Sequence, residues 1–297
     1  MTSPTPSAHP SAIPRTNPQE EIQASRSQGS EETRTGEEII AGVLPRPKLR
    51  LHVQDLRHPS SSTFLRLIPD VASTLETALS NIIRYLYTAP RPRSDHGHDR
   101  KTKRPAFTPS VPPTRSVTVF IRDFGGVAYT TGSELDNDHK EIHLSLSYIH
   151  SCTAGSSAKA DPVHELVGVL THELGIADFV RLKASLDPPH WKRPQSAPDR
   201  APKWDMGYQH TAYFLAWVED VRVGEGAIGM LNDRLLRVGY VGEDEDSACG
   251  SESFWKGLFG AGVAELWEEY GCYLDDPQKE SAQRPSGDWE DEMVNPE

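Results

Sequence analysis

Residues 161–185, DPVHELVGVLTHELGIADFVRLKAS, constrain the fold more than any other stretch. Asp161 is a natural N-cap, and Pro162 fits the first helical position. Val163, Leu166, Leu170, Leu174 and Ala177 then recur every three or four residues and mark an apolar helix face. Val169, Ile176 and Phe179 form a second apolar row. A helix that is apolar on two sides belongs in the middle of a domain. The pattern therefore predicts one central helix over residues 163–184, with the rest of the chain packed around it.

The second row also carries chemistry. His172 is followed by Glu173, the pairing in which a histidine binds zinc and a glutamate takes a proton from zinc-bound water. The HExxH motif places two histidines four apart on one helical face. Four residues beyond His172 stands Ile176, and four beyond His164 stands Gly168. Neither His164–Glu165 nor His172–Glu173 completes the motif. His164 and Glu165 read as polar residues in the first turns of the helix.

Composition sets the surroundings. Residues 1–46 are rich in Ser, Thr, Pro and Glu and read as a disordered tail, because so few apolar groups cannot offset the entropy of ordering. Residues 276–297 read as an acidic, solvated tail. Residues 47–275 are left as one domain with a substantial core. A net charge of −12 argues against general nucleic-acid binding, which needs a basic face. Cys152, Cys249 and Cys272 are too few and too scattered for a disulfide scaffold or a cysteine zinc site. No signal-peptide pattern opens the chain and no run is long enough to span a membrane, so a cytoplasmic or otherwise intracellular location is expected.

Lys48–Leu56 alternates as a strand, and 61–87 carries the apolar stripe of one long helix. Residues 90–113 read as a basic, proline-rich loop, with His96 and His98 solvated in it. Ser116–Arg122 alternates as a second strand. Residues 124–133 read as a turn and extended chain. Residues 139–148 alternate as a third strand. His139 and His143 sit on it about 13 Å apart, too far for one metal, and read as polar residues on an open face. Trp204–Val221 reads as a loop entering an aromatic helix, Ala227–Val238 and Phe254–Leu274 as helices, and Trp191, Trp204, Trp217, Trp255 and Trp267 as packing residues. Strands first and helices after predict an α+β domain, with a small sheet-bearing N-terminal half and a helical C-terminal half.

Taken together, PKLRLHVQDLRHPSSSTFL, SVTVFIRDFGGVAYTTGSELDNDHKEIHLSLSYI, GVLTHE, GIADFVRLKASLDPPHWKRP and KWDMGYQHTAYFLAW resemble the plant basic secretory protein family, specifically its fungal relatives. The resemblance runs from about residue 47 to 270. It implies a zincin-like fold, Zn2+ as cofactor, and peptide or protein substrates. It makes His172 a zinc ligand. Glu173 aligns with either the general base or the glutamate before GIAD, a candidate third ligand. Asp178 would hold the ligating histidine by a hydrogen bond. Tyr208 and His210 would polarise the substrate carbonyl.

The family pattern has HExxH, then a glycine-containing loop, then EGIADFVRL. Here His172-Glu173-Leu174 runs straight into Gly175-Ile176-Ala177-Asp178. On one continuous helix Asp178 would lie about 9 Å along and about 120° around from His172, out of reach. Three readings follow: a zinc metallopeptidase with unidentified further ligands, a non-catalytic pseudopeptidase that binds peptides, or a mis-spliced gene model of an active enzyme.

Overall fold

The computed structural model describes residues 46–87, 108–154, 157–174, 177–240 and 254–277. These all fall in one contact-defined unit, Pro45–Glu297. The expected tail over 1–45, His96 and His98 in the basic loop, Cys249, and the acidic tail beyond residue 277 lie outside the described residues.

Four strands form one sheet in the order β1-β2-β4-β3: β1 (Lys48–Val53), β2 (Ser116–Arg122), β3 (Ala128–Ser133) and β4 (Asp136–Ser145). β1, β2 and β4 run parallel, and β3 returns antiparallel to β4. The chain expected to be merely extended after Phe124 is thus a paired edge strand. Odd positions of β2 and even positions of β4 turn inward: Val117, Val119, Ile121, Ile142 and Leu144 are buried. They pack with Phe64, Leu75, Leu166 and Leu170 into an aliphatic core.

Nine helices occur among the described residues: α1 (Pro59–Leu67), α2 (Val71–Leu86), α3 (Leu146–Thr153), α4 (Pro162–Leu174), α5 (Ala177–Lys183), α6 (Tyr208–Trp217), α7 (Ala227–Val238), α8 (Phe254–Phe259) and α9 (Val263–Asp275). A second core fills the helical half. It is aromatic, built on Phe179, Phe214, Trp217, Trp255, Trp267 and Tyr270.

Four boundaries differ from the sequence pattern, each for a local reason. The stripe over 61–87 is two helices. Pro69 disfavours a helical conformation at Ile68, which sits at φ −122°, ψ 76°, and Asp70 caps the new start by accepting from the Ser73 N–H at 2.9 Å. The third strand stops at Ser145, whose hydroxyl accepts from the Tyr148 N–H at 3.3 Å; Leu146 and Tyr148 are helical. The last stripe breaks at Gly260, φ 79°.

The central helix is the fourth, and it decides the site. It is two helices, α4 and α5, and α5 runs back alongside α4. Pairings fan out from the joint as they do in a helical hairpin: His172 meets Asp178, Gly168 meets Arg181 and Leu186, and His164 meets Asp187. Leu166, Val169 and Leu170 of α4 are buried in the aliphatic core, whereas Phe179 and Val180 of α5 are buried in the aromatic one. Leu174, at the joint, packs against both. The apolar positions read as two rows on one helix are shared between two helices: Leu166, Val169 and Leu170 serve the aliphatic core, Phe179 serves the aromatic one, and Val163 is exposed.

Candidate active site

His172 lies in the last turn of α4. Its Nδ1 is 2.9 Å from Asp178 Oδ1. The expectation that Asp178 is out of reach therefore fails, because the chain folds back instead of continuing straight. With Asp178 ionised, the contact places a proton on Nδ1 and leaves Nε2 as the unprotonated nitrogen, with no hydrogen-bond partner among the described residues. The two side chains are 29% and 15% exposed, so the pair is sheltered yet reachable. The Tyr208 ring, at the start of α6, stands edge-on to the imidazole, with centroids 5.9 Å apart and planes at 77°. Tyr208 is 68% exposed, and Gly207 before it takes φ 91°, a conformation that favours glycine.

Glu173 points to the edge strand. Thr130 Oγ1 on β3 lies 2.6 Å from the Glu173 carbonyl oxygen and 2.8 Å from its Oε2, so one hydroxyl proton is shared between backbone and carboxylate. His210 is turned to its neighbour, its Nε2 3.1 Å from Gln209 Nε2. Its Nδ1 is buried without a partner among the described residues, and burial pushes its pKa below the usual histidine value. The structure thus brings His172, Glu173, Asp178 and Tyr208 together through α4, β3, α5 and α6. It gives His210 no contact with His172.

Among the described residues the donor set does not make a zinc centre. Structural and catalytic zinc sites need at least three protein ligands. Among the described residues no three His, Cys, Asp or Glu side chains converge for a metal. His172 offers one nitrogen, and Asp178 and Thr130 occupy the groups around it.

Two features went unread in the sequence. Glu165 is not an ordinary first-turn polar residue; it is buried. Its Oε1 accepts from Tyr148 Oη at 2.6 Å, and its Oε2 lies 3.5 Å from Arg181 Nη2. Burial, and then the Glu165 carboxylate, raise the Tyr148 phenol far above its ordinary pKa. The signal was available as Glu165, Gly168 and His172 at spacings that share one helical face.

The second feature is on the outer face of the sheet. His139 and His143 do lie on a strand, as expected, but the face is not open. Glu141 stands between them, 3.5 Å from His139 Nε2 and 3.2 Å from His143 Nε2. His139 Nδ1 meets Ser116 Oγ at 2.7 Å. His143 is 5% exposed, stacked between Phe120 and Tyr129 at 4.9 and 4.4 Å.

Residues 46–174 and 175–270 match the family model BSP, described as a peptidase of plants and bacteria. The chain belongs to that family. No curated protein and no solved structure matches it. Among the described residues no helix is long and apolar enough to cross a membrane.

Proposed function

We propose that this chain, as written, is a peptide-binding member of its peptidase family in which the zinc centre is reduced to one oriented histidine. The carrying observation is the donor set. His172 has its Nδ1 held by Asp178, and among the described residues no three His, Cys, Asp or Glu side chains converge on a metal. Family membership supports peptides or proteins as the molecules bound. The face between the β3 edge, Glu173 and Tyr208 is where such a segment would lie.

The test is zinc content and hydrolysis on the purified chain. The expected result is well below one zinc per chain, no chelator-sensitive proteolysis, and no change in metal content for His172→Ala. One zinc per chain with chelator-sensitive cleavage would overturn it.

A second reading is favoured by one specific observation. The two matched segments abut between Leu174 and Gly175, the place where the resemblance leads one to expect a second histidine and a loop. A transcript carrying extra codons there would encode an ordinary zinc peptidase with His172 as a ligand. Sequencing the transcript across Thr171–Asp178 separates the two readings.

A further inference from the structure

We infer that Arg181, seated over Gly168, is the positioning residue that fixes how α5 lies on α4 and so holds Asp178 against Nδ1 of His172. The inference rests on reading His172 as the functional histidine.

The geometry is a ladder with two ends. On α4, Glu165, Gly168 and His172 fall within about 60° of one another around the axis, at about 100° per residue. On α5, Asp178 and Arg181 are three apart and share a face. At one end Arg181 Nη2 faces Glu165 Oε2 at 3.5 Å, and Tyr148 ties Glu165 to α3. At the other end Asp178 meets His172. Between them Arg181 fills the space that a side chain at position 168 would take. A Cβ there would stand 2.6 Å from Arg181 Nε, 2.7 Å from Nη2 and 2.8 Å from the Leu186 carbonyl oxygen. A glycine inside a helix is unfavourable for that helix, and here the close approach of Arg181 requires it.

Arg181 is itself fixed. Its Nε donates to the Leu186 carbonyl at 2.7 Å. Leu186 N–H in turn donates to the Arg181 carbonyl at 2.9 Å, and Ser185 N–H to the Leu182 carbonyl at 3.0 Å. With Ser185 at φ 56°, this is the Schellman ending of a helix. The guanidinium therefore hydrogen-bonds its own helix end through Nε while Nη2 faces the α4 carboxylate as an ion-pair partner, without a hydrogen bond between them. Both Arg181 and Glu165 are nearly fully buried. A planar fork suits that double task better than a lysine ammonium. Sliding or opening the hairpin would separate Arg181 from Glu165 and Asp178 from His172 together.

The test uses the full chain without added metal, labelled with 15N-histidine, near pH 8, well above the usual histidine pKa. Nitrogen shifts of His172, assigned by comparison with His172→Gln, report which ring nitrogen carries the proton. The expected result is the Nδ1–H form in the parent chain and its loss in Asp178→Asn. The same loss is expected in Arg181→Met and in Gly168→Ala, and a smaller one in Arg181→Lys. Arg181→Met added to Asp178→Asn should change the His172 signal no further, since it acts through Asp178. Retention of the parent Nδ1–H signal in folded Gly168→Ala and Arg181→Lys would overturn the inference. So would an additive change in the double variant. Zinc content and hydrolysis do not enter this readout, so failure of the proposed function leaves it separately testable.

Discussion

An arginine laid over a helix glycine occurs twice in this molecule, with different consequences. Arg181 covers Gly168 beside the His172 pair; Arg200 covers Gly271 in the aromatic half, where a Cβ would collide with its guanidinium. Arg181 is gripped by a backbone carbonyl and faces a buried carboxylate. Arg200 donates to the Trp267 carbonyl, lies 4.7 Å above the Trp267 ring, and has as ionic partner Glu268, which is 76% exposed at 3.8 Å. Removing Arg200 leaves a carboxylate in water. Removing Arg181 leaves one inside the protein. The same local device is therefore a packing element in one half and a structural linchpin in the other.

That difference is open to breakage. Arg181→Met should cost most, about 3–5 kcal/mol, because it leaves Glu165 buried and uncompensated. Urea denaturation measures it, and a loss below about 1 kcal/mol would erase the contrast. Gly168→Ala should cost about 1–3 kcal/mol by overpacking, despite the better helix propensity of alanine, because the Leu186 carbonyl is backbone and cannot step aside. A net stabilisation would show that the notch is not tight.

Buried carboxylates sharpen the contrast through pH. Glu219 is buried with no ion pair among the described residues; its Oε2 accepts from the Ile228 N–H at 2.9 Å. Burial first of all raises its pKa above the ordinary glutamate value, and the backbone N–H groups only partly oppose this. A raised folded pKa means that the native state holds the proton more tightly than the unfolded chain. The stabilisation is then present below the unfolded value and is lost as pH rises through the folded one. Glu219→Gln should flatten that falling slope above about pH 4.5, as thermal unfolding across a pH series would show. An unchanged slope would assign it elsewhere. The smallest effect belongs to Arg200→Met, about 1 kcal/mol from the lost ring and carbonyl contacts, and with no change at His172. If it matched Arg181→Met, the two notches would be equivalent.

Periodicity carried most of the fold. The alternation of 48–53 and 116–122 became two parallel strands, and the aromatic stripes became the helical core, because burial is written directly in apolar spacing. What periodicity could not show was where a helix stops. Through 163–184 the apolar residues keep their three-to-four spacing, and nothing in that spacing marks the reversal. The candidate site was half legible for the same reason. His172, Glu173 and Tyr208 were readable as residue types. The His172–Asp178 bond depends on α5 running back along α4, and Thr130 comes from a strand far away in the chain. Glu165 hid in the first turn of its helix, because its partners lie on two other helices.

The two hydrogen bonds that orient the site also differ in how early they can form. His172 and Asp178 are six residues apart, and Thr130 and Glu173 are 43 apart. Loop-closure entropy makes the longer link dearer by about 1.7 kcal/mol, and short loops close in roughly 10–100 ns. The histidine can thus acquire its proton arrangement within a nascent hairpin, while the glutamate beside it waits for the sheet. Orientation of the imidazole is an early, local property of this chain, and orientation of the carboxylate is a late, global one.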